Sequence, residues 1–410
     1  MKTPREDRRY WASRTPENRR RAHSALRGQH TSDAVVIGGG LVGATAAYAL
    51  AQAGIGVMLV EADRVATGAT AGGLGAILPE PDTLFRTATE MRGAKVTRPA
   101  WHEAHRSAVE FASLLKKLKI KCDLATSSSL VNARTMDDAA ALKKELTARK
   151  SGGVDTPWII PTLVRRELGT DSEGALRLKG AATLDPVRAA LGLIGAAEAR
   201  GARVFEQSPV SRTTFTRKYA DVIFTSGARI RTRLIFVATG EPGALFGQLR
   251  RHVRNQDGYV VVTEPLSAAM RKDVGPRTTM TLERRESSRR LRWIGDDRVL
   301  FAGAEQRCVS PALREKALIQ RAGELLYELS VRYPVVSGIR AQWAWDVPIV
   351  STLDGMPWIG PHRNYPFHFF AMALGWHADS LAWFAARAAV RQAEGTTKPE
   401  DDAFGFLRAI

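Results

Sequence analysis

The chain has 410 residues, 44% of them hydrophobic and 25% charged, which suits a globular protein of two domains sharing one ligand. No apolar run reaches the roughly 20 residues that cross a bilayer. The two cysteines, Cys122 and Cys308, lack the pairing of a disulfide framework or a cysteine metal site.

A formal net charge of +18 invites nucleic acid, an anionic surface or an acidic partner. Much of that charge sits in two runs. One spans residues 1–31, with Arg8, Arg9, Arg19, Arg20 and Arg21; the other spans 283–292, with Arg284, Arg285, Arg289 and Arg290. Neither run interleaves aromatics at base-stacking spacing, so both read as solvated basic faces and not as a nucleic-acid site. Residues 1–31 also lack the apolar stretch of a secretory signal. The reading is a cytoplasmic protein with a flexible basic start, open to an acidic protein partner or an anionic surface.

The first elements come from residue 33 onward. Residues 33–37 form a short apolar run stopped by three glycines, the pattern of a buried parallel strand. Residues 41–53 are alanine-rich and free of proline, a helix ended by Gly54. Residues 57–61 make the next strand and complete one βαβ unit. A small-residue loop spans 68–75, and helices are predicted over 108–118, 137–149 and 186–200, the last opened by Pro186. Further core strands are predicted at 204–205 and 234–238, and substrate-side strands at 259–263 and 299–302. A helix over 311–331, a strand over 367–373 and a closing helix over 380–394 complete the pass.

Within the βαβ unit, Gly38, Gly40 and Gly43 fit GxGxxG between a strand and a helix. Gly38 permits the tight turn, Gly40 lets the backbone reach a pyrophosphate, and Gly43 packs helix on strand. The helix amino terminus turns free N–H groups and a positive dipole end toward phosphates. Glu61 ends the second strand, about 20 residues on, where a carboxylate accepts from a ribose 2′-OH. These residues alone do not separate FAD from NAD.

Beyond them, four segments carry a resemblance. They are Gly68-Ala69-Thr70-Ala-Gly-Gly-Leu-Gly75, Leu184-Asp185-Pro186, Val237-Ala238-Thr239-Gly240 and Thr352-Leu-Asp354-Gly355-Met-Pro357-Trp-Ile359-Gly360. With these motifs, the stretch from Asp33 to about Gly395 resembles the D-amino-acid oxidase-like superfamily of FAD-dependent oxidoreductases. It looks closest to the branch of glycine oxidase, sarcosine oxidases and γ-glutamylputrescine oxidase. The resemblance implies non-covalent FAD on an α/β fold, in which a discontinuous Rossmann-like domain receives an inserted α+β substrate domain with a mixed sheet. The expected division is 32–100, 171–245 and 345–410 for FAD, with 101–170 and 246–344 for substrate. It also implies cofactor contacts at Gly68, Ala69, Thr70, Gly75, Val210, Thr239, Gly240, Gly360 and Gly375.

The family's final G-x-G-G-x-G turn is represented only by Gly375 in the stretch Gly375-Trp376-His377-Ala378-Asp379-Ser380. Asp379 and Ser380 are expected N-caps of the last helix. His377 is read in two ways, as a positive charge beside the flavin or as a packed histidine.

In this family the cofactor carries the chemistry, so few acid–base residues are needed. The resemblance implies oxidation of an amine or amino acid by hydride transfer to the flavin, giving an imine that hydrolyses. Oxidase and dehydrogenase both remain open. The catalytic candidates are His377, Trp345 and Tyr259, with Trp343 beside them. Arg289, Arg290 and Arg292 are weighed as a carboxylate clamp, with a surface position expected for most of that run. His102 and His105, at HxxH spacing without a third ligand, are expected to be solvated, and no metal site is read. The alternatives are a non-catalytic, subunit-type flavoprotein carrying the altered 375–380 turn and, more weakly, an NAD-dependent dehydrogenase.

Overall fold

The computed structural model describes residues 9–16, 18, 20–284 and 288–406, so Arg8, Arg19 and Arg285 of the basic runs lie outside the described residues. Its cofactor half is built on a six-stranded sheet. The strands run in the order Arg203–Phe205, Val57–Val60, Ala34–Ile37, Leu234–Gly240, Tyr365–Met372 and Trp358–His362, parallel except for the last pair. Strands Ala34–Ile37 and Val57–Val60 are buried at every position because both sheet faces are covered. Val36, Leu59 and Phe236 point to the helical layer, which includes Leu41–Gln52, Pro186–Glu198 and Ala378–Glu394. Val35, Ile37, Met58 and Val60 point to a smaller four-stranded sheet that includes Ala220–Phe224 and Arg229–Thr232.

The order reverses at Ala34–Ile37, between Val57–Val60 on one side and Leu234–Gly240 on the other. The carboxyl ends of these strands therefore open a switch-point crevice. Gly43 fixes how closely the Leu41–Gln52 helix lies on that turn: a Cβ there would come 1.9 Å from the Gly38 carbonyl oxygen.

The second half is an eight-stranded mixed sheet. Its order is Ala341–Thr352, Val253–Thr263, Arg298–Arg307, Arg289–Ile294, Thr279–Glu283, Ser128–Ala133, Gly174–Leu178 and Trp158–Ile159. Helix Arg314–Arg332 covers one face through Leu325 and Leu329, packed with Val261 and Phe301. The other face, with Val260, Val262, Trp345 and Val347, joins the main core beside the cofactor half. Gly174–Leu178 pairs inside this sheet although the sequence division placed it with FAD. Helix Ala94–Lys117 packs on Ala378–Glu394 of the cofactor half.

Two expectations about charge are corrected. Part of the first run is packed, not loose. Tyr10 and Trp11 of the short helix Tyr10–Arg14 are each 2% exposed, and Gln29–Thr31 pairs in parallel with the Arg229–Thr232 strand. The second basic run is buried as well. Arg289, Arg290 and Arg292 lie on one strand, so alternate residues face opposite packed layers. Arg289 meets Glu328 of the covering helix, whereas Arg290 and Arg292 turn toward the cofactor half. His102 and His105 are exposed, and among the described residues no cluster could hold a metal ion. No described helix is long and apolar enough to cross a membrane.

Candidate cofactor channel and active site

A cleft of about 410 Å³ opens at the switch point, within the range of sites that hold small molecules and cofactors. Gly38, Gly40, Glu61, Thr239 and Gly240 line it from the six-stranded sheet and its first turn. Gly68, Ala69 and Thr70 line it from the small-residue loop, Val210 from the neighbouring strand, and Gly375 from the turn before the last helix. Ser208, Val347 and Ile349 add to the wall at points the motifs did not mark, and Leu74, Trp376 and Asp379 add to it from within the quoted loop and turn.

The phosphate end follows from local chemistry. Gly40 caps the Leu41–Gln52 helix with extended backbone and no side chain, and a Cβ there would sit 2.9 Å from Thr70 Oγ1. The Leu41 N–H is already taken by Thr70 Oγ1 at 2.8 Å, which ties the loop to the helix start. Gly38, with φ of +111°, could not carry a Cβ, which would lie 2.5 Å from the Ala238 carbonyl.

Glu61 is positioned rigidly. Its Oε2 accepts from the Gly39 N–H at 2.6 Å and its Oε1 from the Asp63 N–H at 2.9 Å. Each oxygen keeps lone-pair capacity for a hydroxyl. Burial raises the carboxyl above its ordinary range, with the Asp63 and Gly39 N–H groups opposing. A side-chain-free helix start, a glycine turn and an oriented carboxylate fit the pyrophosphate and adenosine ribose of FAD.

Three expected cofactor residues serve differently or stand apart, while Gly43, behind the wall, keeps the packing role read for it. Gly75, with φ of +62°, leaves room for protein and not for a ring system: a Cβ would meet the Leu184 carbonyl at 2.3 Å, and the Gly75 carbonyl accepts from Arg292. Gly360 lies on the outer strand Trp358–His362, away from the channel lining. Thr239, though in the wall, uses its hydroxyl on the Glu241 carbonyl at 2.6 Å.

The three catalytic candidates do not line the channel. Tyr259 lies on the wrong face of its strand. Its neighbours Gly258 and Val260 face the cofactor half, so Tyr259 points to the Arg314–Arg332 helix, where its hydroxyl accepts from Gln306 at 2.6 Å. Trp345 is on the correct face, but its indole N–H donates to the Gly72 carbonyl at 3.2 Å inside the core. Asp379 and Ser380 lie inside the last helix, not at its cap. The Ser380 hydroxyl accepts from the Leu78 N–H at 2.7 Å.

His377 is completely buried, with Nδ1 2.8 Å from the Glu80 carbonyl oxygen and Nε2 3.4 Å from Asp82 Oδ1. Burial lowers its pKa to about 4; Asp82 opposes this, while the Arg284 and Arg290 guanidiniums add to it. The downward shift favours the neutral ring, in line with the packed reading of His377. Replacement by alanine should cost about 1–3 kcal/mol by leaving a cavity and an unmet carbonyl. Because the folded pKa lies below the ordinary 6.5, the histidine's contribution is full above about pH 6.5 and lost as pH falls toward 4. The His377→Ala melting deficit should then shrink between pH 7.5 and pH 5, with the flavin potential unmoved. A deficit that grows at acid pH, or a displaced potential, would restore the charged histidine.

Charge near the Trp376 end comes from a different set. Asp82 Oδ2 accepts the Trp376 backbone N–H at 3.0 Å, and Glu305 accepts the Trp376 indole N–H at 2.8 Å. Arg290 bridges Asp82 and Glu305 at 2.9 Å each and lies 4.8 Å over the Trp376 ring. Arg284 reaches Glu80 and Asp82, and Arg149 joins Glu80 to Glu145. Asp82 is held well below the carboxylate range: burial acts against this, but Arg290, His377 and Arg284 outweigh it. Asp379, in the channel wall, is pushed up to about 7 by burial, against the Ala76 N–H and the Arg292 guanidinium. Sequence reading missed Asp82, Glu305 and Arg284 as the charged support of this turn; the local cue was two acids alternating with prolines at Pro79-Glu80-Pro81-Asp82.

Fold and channel together define a dinucleotide-binding protein whose second sheet closes one side of the cofactor cleft. Residues 33–392 match the family described as FAD dependent oxidoreductase; the chain belongs to it, and FAD is its cofactor. It is 25% identical over 364 residues to a probable oxidoreductase, OrdL, of Haemophilus influenzae, covering 87% of this chain and 81% of that one. It is 23% identical to γ-glutamylputrescine oxidoreductase of Escherichia coli, covering 80% and 76%. Among solved structures, glycine oxidase from Geobacillus kaustophilus superposes with a TM-score of 0.74 at 18% identity, over 93% of this chain and all of that one. L-proline dehydrogenase from P. horikoshii gives 0.75 at 18% identity, over 93% and 98%.

Proposed function

We propose that the protein oxidises an amine or amino acid at the carbon bearing nitrogen, with substrate meeting the cofactor at the Trp376 end of the channel. The observation that carries this reading is the make-up of the cleft wall, whose residues we assign in turn to the parts of the cofactor. Glu61 and Val210 mark the adenosine end, Gly40 and Thr70 the pyrophosphate, and the apolar wall of Leu74, Val347, Ile349 and Trp376 remains for the ring system. FAD bound there supplies the acceptor for the substrate's hydride. The resulting imine takes up water and releases the amine nitrogen and a carbonyl product.

The protein's own part is orientation and exclusion of water. Trp376 is held on three sides, by Asp82, Glu305 and Arg290, so it offers a fixed surface. Those side chains stand behind Trp376, outside the channel lining, and Asp379 is the titratable side chain of the wall at this end. The names of the γ-glutamylputrescine and glycine enzymes support a nitrogen-bearing substrate. The division into a cofactor half and a substrate half follows the two large sheets, with Gly174–Leu178 reassigned to the second.

FAD should be held without a covalent bond, since Cys122 is buried, Cys308 is exposed and neither lines the channel. Acid precipitation should move the yellow colour to the supernatant; colour kept in the washed pellet would refute this. The function itself is tested by anaerobic addition of an amine and amino-acid panel to the holoprotein. Bleaching of the flavin band is expected. A yellow protein unmoved by the whole panel, yet readily reduced by dithionite, would favour a flavoprotein without turnover.

A further inference from the structure

We propose that residues 9–16 and 20–26 form a strap that sets the cofactor channel from outside, with Arg9 and Trp11 as positioning residues for FAD. The proposal rests on the family's cofactor and on contacts that no channel motif contains. Arg9 Nη1 donates to the carbonyls of Thr67 and Gly68 at 2.8 and 2.9 Å. The Trp11 indole N–H donates to the Gly73 carbonyl at 2.8 Å. These carbonyls bracket the 68–73 loop, whose Gly68, Ala69, Thr70 and Gly73 face the channel. Within it Ala69–Gly72 form one helical turn of small residues flanked by Gly68 and Gly73, so the placement of that turn depends on what grips its ends.

The grip continues at both ends of the cleft. Tyr10 packs edge-on against Trp343 of the Ala341–Thr352 strand at 5.3 Å, and the Arg292 guanidinium lies 5.5 Å over the Trp11 ring while bonding the Leu74 carbonyl. The strap therefore links the substrate-side sheet to the cofactor loop. Toward the adenosine end, the His23 N–H donates to Glu206 at 3.1 Å, and the Leu26 N–H to the Ser208 hydroxyl at 2.9 Å. Glu206 in turn accepts the Val65 N–H, and Ser208 lines the channel. One segment thus touches the wall beside both halves of the dinucleotide.

If the strap holds the loop in its binding shape, removing a donor lowers the fraction of protein competent to bind. The apparent dissociation constant then rises by the reciprocal of that fraction. The test uses the full chain with two variants, Trp11→Phe, which keeps an aromatic ring but loses the N–H, and Arg9→Ala. FAD titration of each apoprotein should give a Kd about tenfold above wild type, measured alongside. The apoprotein melting temperature should stay near wild type, and Arg9→Lys should recover part of the loss. Wild-type FAD binding separates failure of the strap from failure of the cofactor assignment. Wild-type Kd values in both variants would overturn the proposal. So would losses of affinity that merely follow a lowered apoprotein melting temperature.

Discussion

Replacing Glu61 by alanine should weaken FAD binding by about tenfold or more. The carboxylate is the acceptor available to the ribose hydroxyls, and a buried charge-assisted bond is typically worth about 1.5–3 kcal/mol. Alanine also strands the Gly39 and Asp63 N–H groups that Glu61 now satisfies, so the turn itself loosens. A pH dependence accompanies this. Burial raises the Glu61 carboxyl above its ordinary range, and ribose hydroxyls bind the ionised form better. FAD affinity of the wild type should therefore fall as pH drops through that raised value, whereas Glu61→Gln should lack this step. Titration of the apoproteins across pH checks both. A Glu61→Ala dissociation constant within twofold of wild type would show that the ribose is held elsewhere.

Gly43→Ala should be the most damaging single-methyl change in the cofactor half. Its new Cβ would lie 1.9 Å from the Gly38 oxygen and 3.1 Å from the Gly38 carbonyl carbon, both backbone atoms of the phosphate turn. The helix must back away or the turn must open, at a cost of several kcal/mol, about 2–4 by analogy with overpacked cores. FAD retention should fall with stability because the displaced atoms belong to the channel. Gly195→Ala is the matched control. That glycine lies within the Pro186–Glu198 helix with nothing within 4 Å of its would-be Cβ, so alanine should stabilise by about 0.5–1 kcal/mol. Equal melting temperatures for the two variants would contradict the packing role given to Gly43.

The contrast between those glycines shows what was legible in the chain itself. The turn at Gly38, Gly40 and Gly43 and the acid at Glu61 fall inside one βαβ unit, where strand, turn and helix constrain each other over about 30 residues. Short-range chemistry decides such a unit, so Gly38, Gly40 and Glu61 line the cleft while Gly43 packs the helix behind it. The later strand Leu234–Gly240 was legible for the same reason, as an apolar run ended by a glycine at φ of +78°.

What tertiary structure alone decided is the polar half of the site. Tyr259 and Trp345 both sit on strands, but which face of a sheet meets the cofactor depends on the layers that cover it. Arg290 and Arg292 looked like solvated charge because their partners lie far away in sequence: Asp82 is 208 residues from Arg290, and the Leu74 carbonyl 218 from Arg292. The sequence left His377 open between a cation at the turn and a packed ring, and its burial among Glu80, Asp82, Arg284 and Arg290 favours the second. The start of the chain looked flexible by its arginines, although adjacent Tyr10 and Trp11 were the cue that it docks. Composition counts charges and rings; only the folded chain brings each one to a partner, and burial then sets whether a charge is carried at all.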